Sequence, residues 1–171
     1  MEVIREKLLG WDEKDTDYLL TIYQDGIEDI LDPLLELAKD GSSLIQSGST
    51  WLIKHYIDQE NKLSPQQISL LSEAIQGFKT WPPQLHYLQI LATLEPETRI
   101  AEQILPQLDE WIESKVKFVK AWTYYAYGWC AAAIPDIQPE IKTRLEWALQ
   151  EESASIKVRV RKAIKNFKLS T

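Results

Sequence analysis

Val116 to Trp122 reads V-K-F-V-K-A-W, and 42 residues later Val158 to Ile164 reads V-R-V-R-K-A-I. A valine, a cation, a Lys-Ala pair and a large apolar residue recur in register. A period of this length, with another helix-period segment before each copy, is the signature of paired helices stacked into a solenoid, because one pair cannot bury its apolar face alone. The repeat predicts an architecture and leaves the chemistry open.

Outward from these two segments the apolar spacing stays helical. Ile27, Ile30, Leu31, Leu34, Leu37 and Ala38 form one stripe, Ile100, Ile104, Leu108, Trp111 and Ile112 a second, and Ile156, Val160, Ala163, Ile164 and Phe167 a third. No stretch sustains the period-two alternation of a half-buried strand. Ser64-Pro65, Pro82-Pro83, Glu95-Pro96 and Gln138-Pro139 place proline where a helix can begin, since the first turn needs no amide hydrogen. Asp25-Gly26 and Asp40-Gly41 read as breaks. The pattern predicts helices near 2–9, 14–24, 27–40, 49–60, 65–78, 83–94, 97–113, 115–133, 138–151 and 155–168. In the eighth, Phe118, Trp122, Tyr125, Trp129 and Ala133 line one side and Val116, Val119, Ala126 and Cys130 the other, leaving Lys117, Lys120 and Tyr124 as a narrow polar strip. A helix apolar nearly all round is covered on most sides, which makes this the central helix.

Composition bounds the function. One domain spanning 1–171 is expected, with 1–25 as a divergent N-terminal cap and 155–168 as a basic C-terminal capping helix. No apolar run reaches the roughly 18 residues of a membrane span, and Met1 to Lys7 carries carboxylates where a secretory signal carries cations. The single Cys130 cannot form an internal disulfide, so a cytoplasmic chain, monomeric or weakly dimeric, is expected. The net charge of −7 is unevenly spread, −13 over residues 1–113 and +6 over 114–171, a polarity that can orient a charged partner.

The run from Ile104 to Trp122, I-L-P-Q-L-D-E-W-I-E-S-K-V-K-F-V-K-A-W, resembles a HEAT repeat. That family's pattern is a first helix with an internal proline, a short polar turn, and a second helix opening on valine and a cation with an alanine soon after. Pro106, Glu113-Ser114, Val116-Lys117 and Ala121 stand at those places. Asp32 to Asp40, with Pro33 as the kinking residue, resembles another first helix, Leu145 to Ala163 a third copy, and Leu85 to Leu94 a weaker second helix. The resemblance covers residues from about 27 onward and departs from the family in its uneven spacing and in turns lacking the usual aspartate. It implies an all-α superhelix of about four to five antiparallel helix pairs whose inner wall, here 49–60, 83–94, 115–133 and 155–168, holds a protein.

Lys157, Arg161, Lys165 and Lys168 fall at i, i+4, i+8 and i+11, one cationic stripe opposite the apolar stripe of the last helix. With Lys117, Lys120 and Tyr124 they form the candidate interaction surface. A row of cations suits a phosphate backbone, but the outer side of a terminal helix is polar in any case, and that plainer reading is preferred. Lys117 and Arg159 follow acidic turn residues, Glu113 and Glu151-Glu152, and are read as inter-helix ion pairs. Trp111, Trp122, Trp129 and Trp147 are assigned to the core, Tyr124 and Tyr127 to the surface near the lysines.

His55, His86 and Cys130 are too scattered for a zinc site or a catalytic arrangement, and Asp15 or Thr16 is read as a helix cap rather than part of a calcium loop. No metal, no cofactor and no enzymatic activity are expected. The primary expectation is a non-enzymatic scaffold that docks a protein. Nucleic-acid binding through the C-terminal cations, as the resemblance to HEAT-like DNA glycosylases implies, is the alternative. An acidic immunity or inhibitor protein that covers a basic partner with residues 12–40 is the third reading.

Overall fold

A computed structural model of the chain describes residues 1–24 and 30–169, and among them it contains ten α-helices and no strand. These are α1 (Glu2–Leu9), α2 (Thr16–Gln24), α3 (Leu31–Leu37), α4 (Ser43–Asp58), α5 (Pro65–Ala74), α6 (Trp81–Leu91), α7 (Thr98–Trp111), α8 (Lys117–Ala133), α9 (Gln138–Glu151) and α10 (Ala154–Asn166). The fold of the described residues is all-α, as the apolar spacing predicts. The Asp25-Gly26 break and the expected helix start at 27 lie outside the described residues.

Local chemistry accounts for several of the boundaries. Ser64 caps α5 by a reciprocal box: its Oγ accepts the Gln67 amide, the Gln67 side chain accepts the Ser64 amide, and Pro65 occupies the first turn. Asp15 Oδ1 accepts the amides of Asp17 and Tyr18 and so caps α2. Asp12 Oδ1 accepts the amides of Lys14 and Asp15, which holds its carboxyl below the usual range. Pro33 does not kink α3. That helix begins at Leu31, so the proline falls in the first turn, where it costs no hydrogen bond. Pro106 does lie inside α7.

The chain divides into two compact units, Met1–Tyr87 and Leu88–Thr171. In the first, α1, α2 and α3 pack on α4. Helix α4 starts at Ser43, six residues before the expected 49, and Ile45 to Thr50 are all buried. The small residues of Ser43 to Gly48 allow close approach: a Cβ on Gly48 would lie 2.6 Å from Leu8 Cδ2. Farther along, the Ser72 and Tyr87 hydroxyls meet at 2.9 Å.

In the second unit α8 packs against α7, α9 and α10 and is buried almost continuously from Val119 to Ala131, the central placement that its nearly all-round apolar surface predicts. Ile104, Leu108, Trp111 and Trp129 are buried, and the Trp129 indole donates to the Leu94 carbonyl at 2.9 Å. Four aromatic assignments are corrected. Trp122 is only half-buried, because it faces the edge of α10 and is covered there by the Arg159 guanidinium, 3.6 Å from its ring centre. Trp147 is 54% exposed, because the buried stripe of α9 runs through Ile141, Leu145 and Ala148 and position 147 is rotated off it. Tyr124 and Tyr127 are buried rather than superficial, their hydroxyls held by carboxylates on neighbouring segments. Phe118, in the first turn of α8, is 69% exposed.

Candidate interaction surface

The apolar stripe of α10, Ile156, Val160 and Ala163, is buried and turns the opposite, cationic face outward. The four cations of that stripe then part company. Lys157 folds back and donates to the Gln150 carbonyl at 2.8 Å, in the last turn of α9, where the helix dipole favours a cation. Arg161, Lys165 and Lys168 stay exposed and, with Leu149 and Ile164, line an open groove of about 450 Å³. Lys168 occupies the left-handed region at φ 53°. The Leu169 amide donates to the Ile164 carbonyl at 3.0 Å and Leu169 is buried, a helix-terminating closure usually made with glycine. That closure fixes where the Lys168 side chain leaves the backbone.

The α8 members of the candidate surface are elsewhere employed. Lys120 Nζ lies 2.6 Å from Glu152 Oε1, and Tyr124, expected at the surface, is 3% exposed and donates to the same carboxylate at 3.1 Å. Burial, then Glu152, raises the Tyr124 phenol. Glu152 therefore takes Lys120 and Tyr124 rather than Arg159, and the expected pairing of Lys117 with Glu113 does not form. Lys117 is exposed and makes no ion pair among the described residues, and Arg159 stacks on Trp122. Trp122 continues into a packed aromatic row, edge-on to Tyr125 at 5.6 Å, which meets Phe167 at 5.2 Å.

A second groove, of about 370 Å³, opens between the end of α7 and the α8 and α9 surfaces. Ile112, Glu113, Thr143 and the exposed Trp147 border it, and the edges of Tyr124 and Tyr127 form its floor. Arg144 stands at its side with four of its five guanidinium donors engaged. Nη1 donates to Asp109 Oδ1 at 3.0 Å and to the Tyr127 hydroxyl at 3.1 Å, while Nε and Nη2 both donate to Glu140 Oε1. Tyr127 donates to Asp109 at 2.6 Å. Burial and then Asp109 raise the Tyr127 phenol, so it stays a proton donor at all ordinary pH. The sequence reading missed this network. The Glu140–Arg144 spacing of i, i+4 was its one legible sign.

The histidines stand apart. His86 Nδ1 lies 2.9 Å from Thr50 Oγ1, whereas His55 stacks flat on Trp51 at 5.4 Å. Cys130 is wholly buried and burial raises its thiol. Among the described residues no three metal-ligating side chains cluster, and no helix is long and apolar enough to cross a membrane. Comparison with protein-family models, with curated proteins and with solved structures finds no match.

Proposed function

We propose that the chain is a cytoplasmic, non-enzymatic interaction module built by HEAT-like stacking of helix pairs, and that it docks an acidic segment of a protein partner on the α9–α10 groove. The observation that carries this reading is the convergence of Arg161, Lys165 and Lys168 around Leu149 and Ile164. A solvated capping face needs cations but not an apolar floor between them. A segment with apolar side chains among carboxylates matches both parts, the floor by burial and the rim by charge.

Nucleic acid fits less well. A phosphate backbone offers nothing apolar for Leu149 and Ile164, and a long polyanion would meet the −13 carried by residues 1–113. A short acidic segment meets only the local cations.

Isothermal titration with a synthetic peptide of alternating leucine and glutamate tests the assignment. Replacing Arg161, Lys165 and Lys168 with glutamine should weaken binding about tenfold, as expected for the loss of three exposed charge pairs. All three positions are exposed, so the variant keeps its core. Equal affinity of the wild type and the triple variant contradicts the reading.

A further inference from the structure

We propose that the second groove, bordered by Trp147 and Glu113 over the Tyr124 and Tyr127 rings, is a separate site that takes an arginine or lysine side chain of a protein segment.

Asp109, Glu113 and Glu140 stand at or behind the groove against one cation, Arg144, which leaves two negative charges in excess. Four of the five N–H donors of the Arg144 guanidinium already go to Asp109, Glu140 or the Tyr127 hydroxyl. The one Nη2–H left over shares its nitrogen with the Glu140 bond, so an incoming anion would meet that carboxylate there. Glu113, by contrast, is exposed at the rim and makes no ion pair among the described residues. The Tyr124 hydroxyl cannot satisfy it, because that hydroxyl donates to Glu152.

The aromatic wall points the same way. Trp147 presents more than half of its surface to solvent although α9 has already buried its own stripe, so the fold does not require an indole at this position. Trp is the side chain whose face attracts a cation most strongly. Beside Ile112 and a carboxylate it forms a slot whose walls accept an aliphatic stem and whose rim accepts a charged head. At about 370 Å³ the groove holds one long side chain with its flanking backbone. The site is chemically opposite to the α9–α10 groove and shares no residue with it, so the two stand or fall separately.

Heteronuclear NMR of the 15N-labelled chain tests this with three probes: N-acetyl-arginine amide, its uncharged isostere N-acetyl-citrulline amide, and N-acetyl-glutamate amide. The Trp147 indole signal is identified by its loss in Trp147→Leu. The arginine derivative should shift the Trp147 indole and Glu113 amide signals saturably, and the other two should not. Glu113→Gln should weaken binding about threefold and Trp147→Leu by a similar factor, the sizes expected for one exposed charge pair and one exposed cation–π contact. Both positions are exposed, so neither change removes a core side chain. Equal shifts with the citrulline derivative, or no saturable shift with the arginine derivative, overturn the proposal.

Discussion

The His86 Nδ1–H donates to Thr50 Oγ1 at 2.9 Å, a direction fixed by Thr50, whose own hydroxyl proton goes to the Gln46 carbonyl at 2.7 Å. Thr50 is fully buried and His86 largely so, and burial, followed by the nearby Lys54, lowers the imidazole from 6.5 to about 4. Between those two values the unfolded chain binds a proton that the folded chain does not, so stability is complete above about pH 6.5 and falls as pH drops towards 4. The loss is bounded by about 3 kcal/mol. Urea titrations across that range should show the decline in the wild type and a shallower one in His86→Gln. Equal slopes would show that the imidazole titrates freely.

The two tryptophans of α8 should behave differently although the sequence groups them. Trp129 is 1% exposed with a donated hydrogen bond, and Trp129→Ala should cost about 3 to 5 kcal/mol. Trp122 is half-buried, and Trp122→Ala should cost about 1 to 2 kcal/mol. A double-mutant cycle with Arg159→Ala should return a coupling of about 0.5 to 1 kcal/mol from the stacked guanidinium.

Gly48→Ala should destabilise although alanine is the better helix former by up to about 1 kcal/mol. The new methyl would meet Leu8 Cδ2 at 2.6 Å, and Leu8 is fully buried, with Leu19 and Trp11 side-chain atoms each 3.6 Å from the same point. Overpacking of this kind costs about 1 to 3 kcal/mol. A denaturation midpoint at or above that of the wild type would mean that α1 and α4 are less tightly apposed.

Cys130 should resist a thiol reagent under native conditions, because the thiolate is the reactive form and burial disfavours it. Labelling as fast as in denaturant would contradict this placement.

The existence of each helix was legible because apolar spacing and proline or capping signals are local. What was not legible depended on which neighbour covers a residue. Ser43 to Gly48 reads as a polar, glycine-containing link, yet it is helix, and the residues from Ile45 on are buried; its small residues exist to let Leu8 and Leu19 come close. The repeated segments differ in helical position. Val116 precedes α8 as its cap, whereas Val158 is the fifth residue of α10. The two helices pack on each other, with Ala163 and Phe167 against Gly128. In the interaction surface the stripe on α10 was visible as a spacing. That Lys157 turns back to α9, and that Glu152 takes Lys120 and Tyr124, depended on a helix packed alongside. Asp109, Tyr127 and Arg144 meet from three helices, a meeting that no local pattern encodes.

The central claim is that the three free cations of the α9–α10 groove serve a protein segment rather than a polyanion. Fluorescence anisotropy of the wild type at physiological salt, with the leucine–glutamate peptide and a short DNA duplex measured side by side, tests it most directly. The account predicts the tighter binding for the peptide, lost in the Arg161, Lys165, Lys168 triple glutamine variant, and only weak duplex binding that falls steeply as salt rises. Submicromolar duplex binding at physiological salt that disappears in the triple variant, with no binding of the peptide, would contradict it.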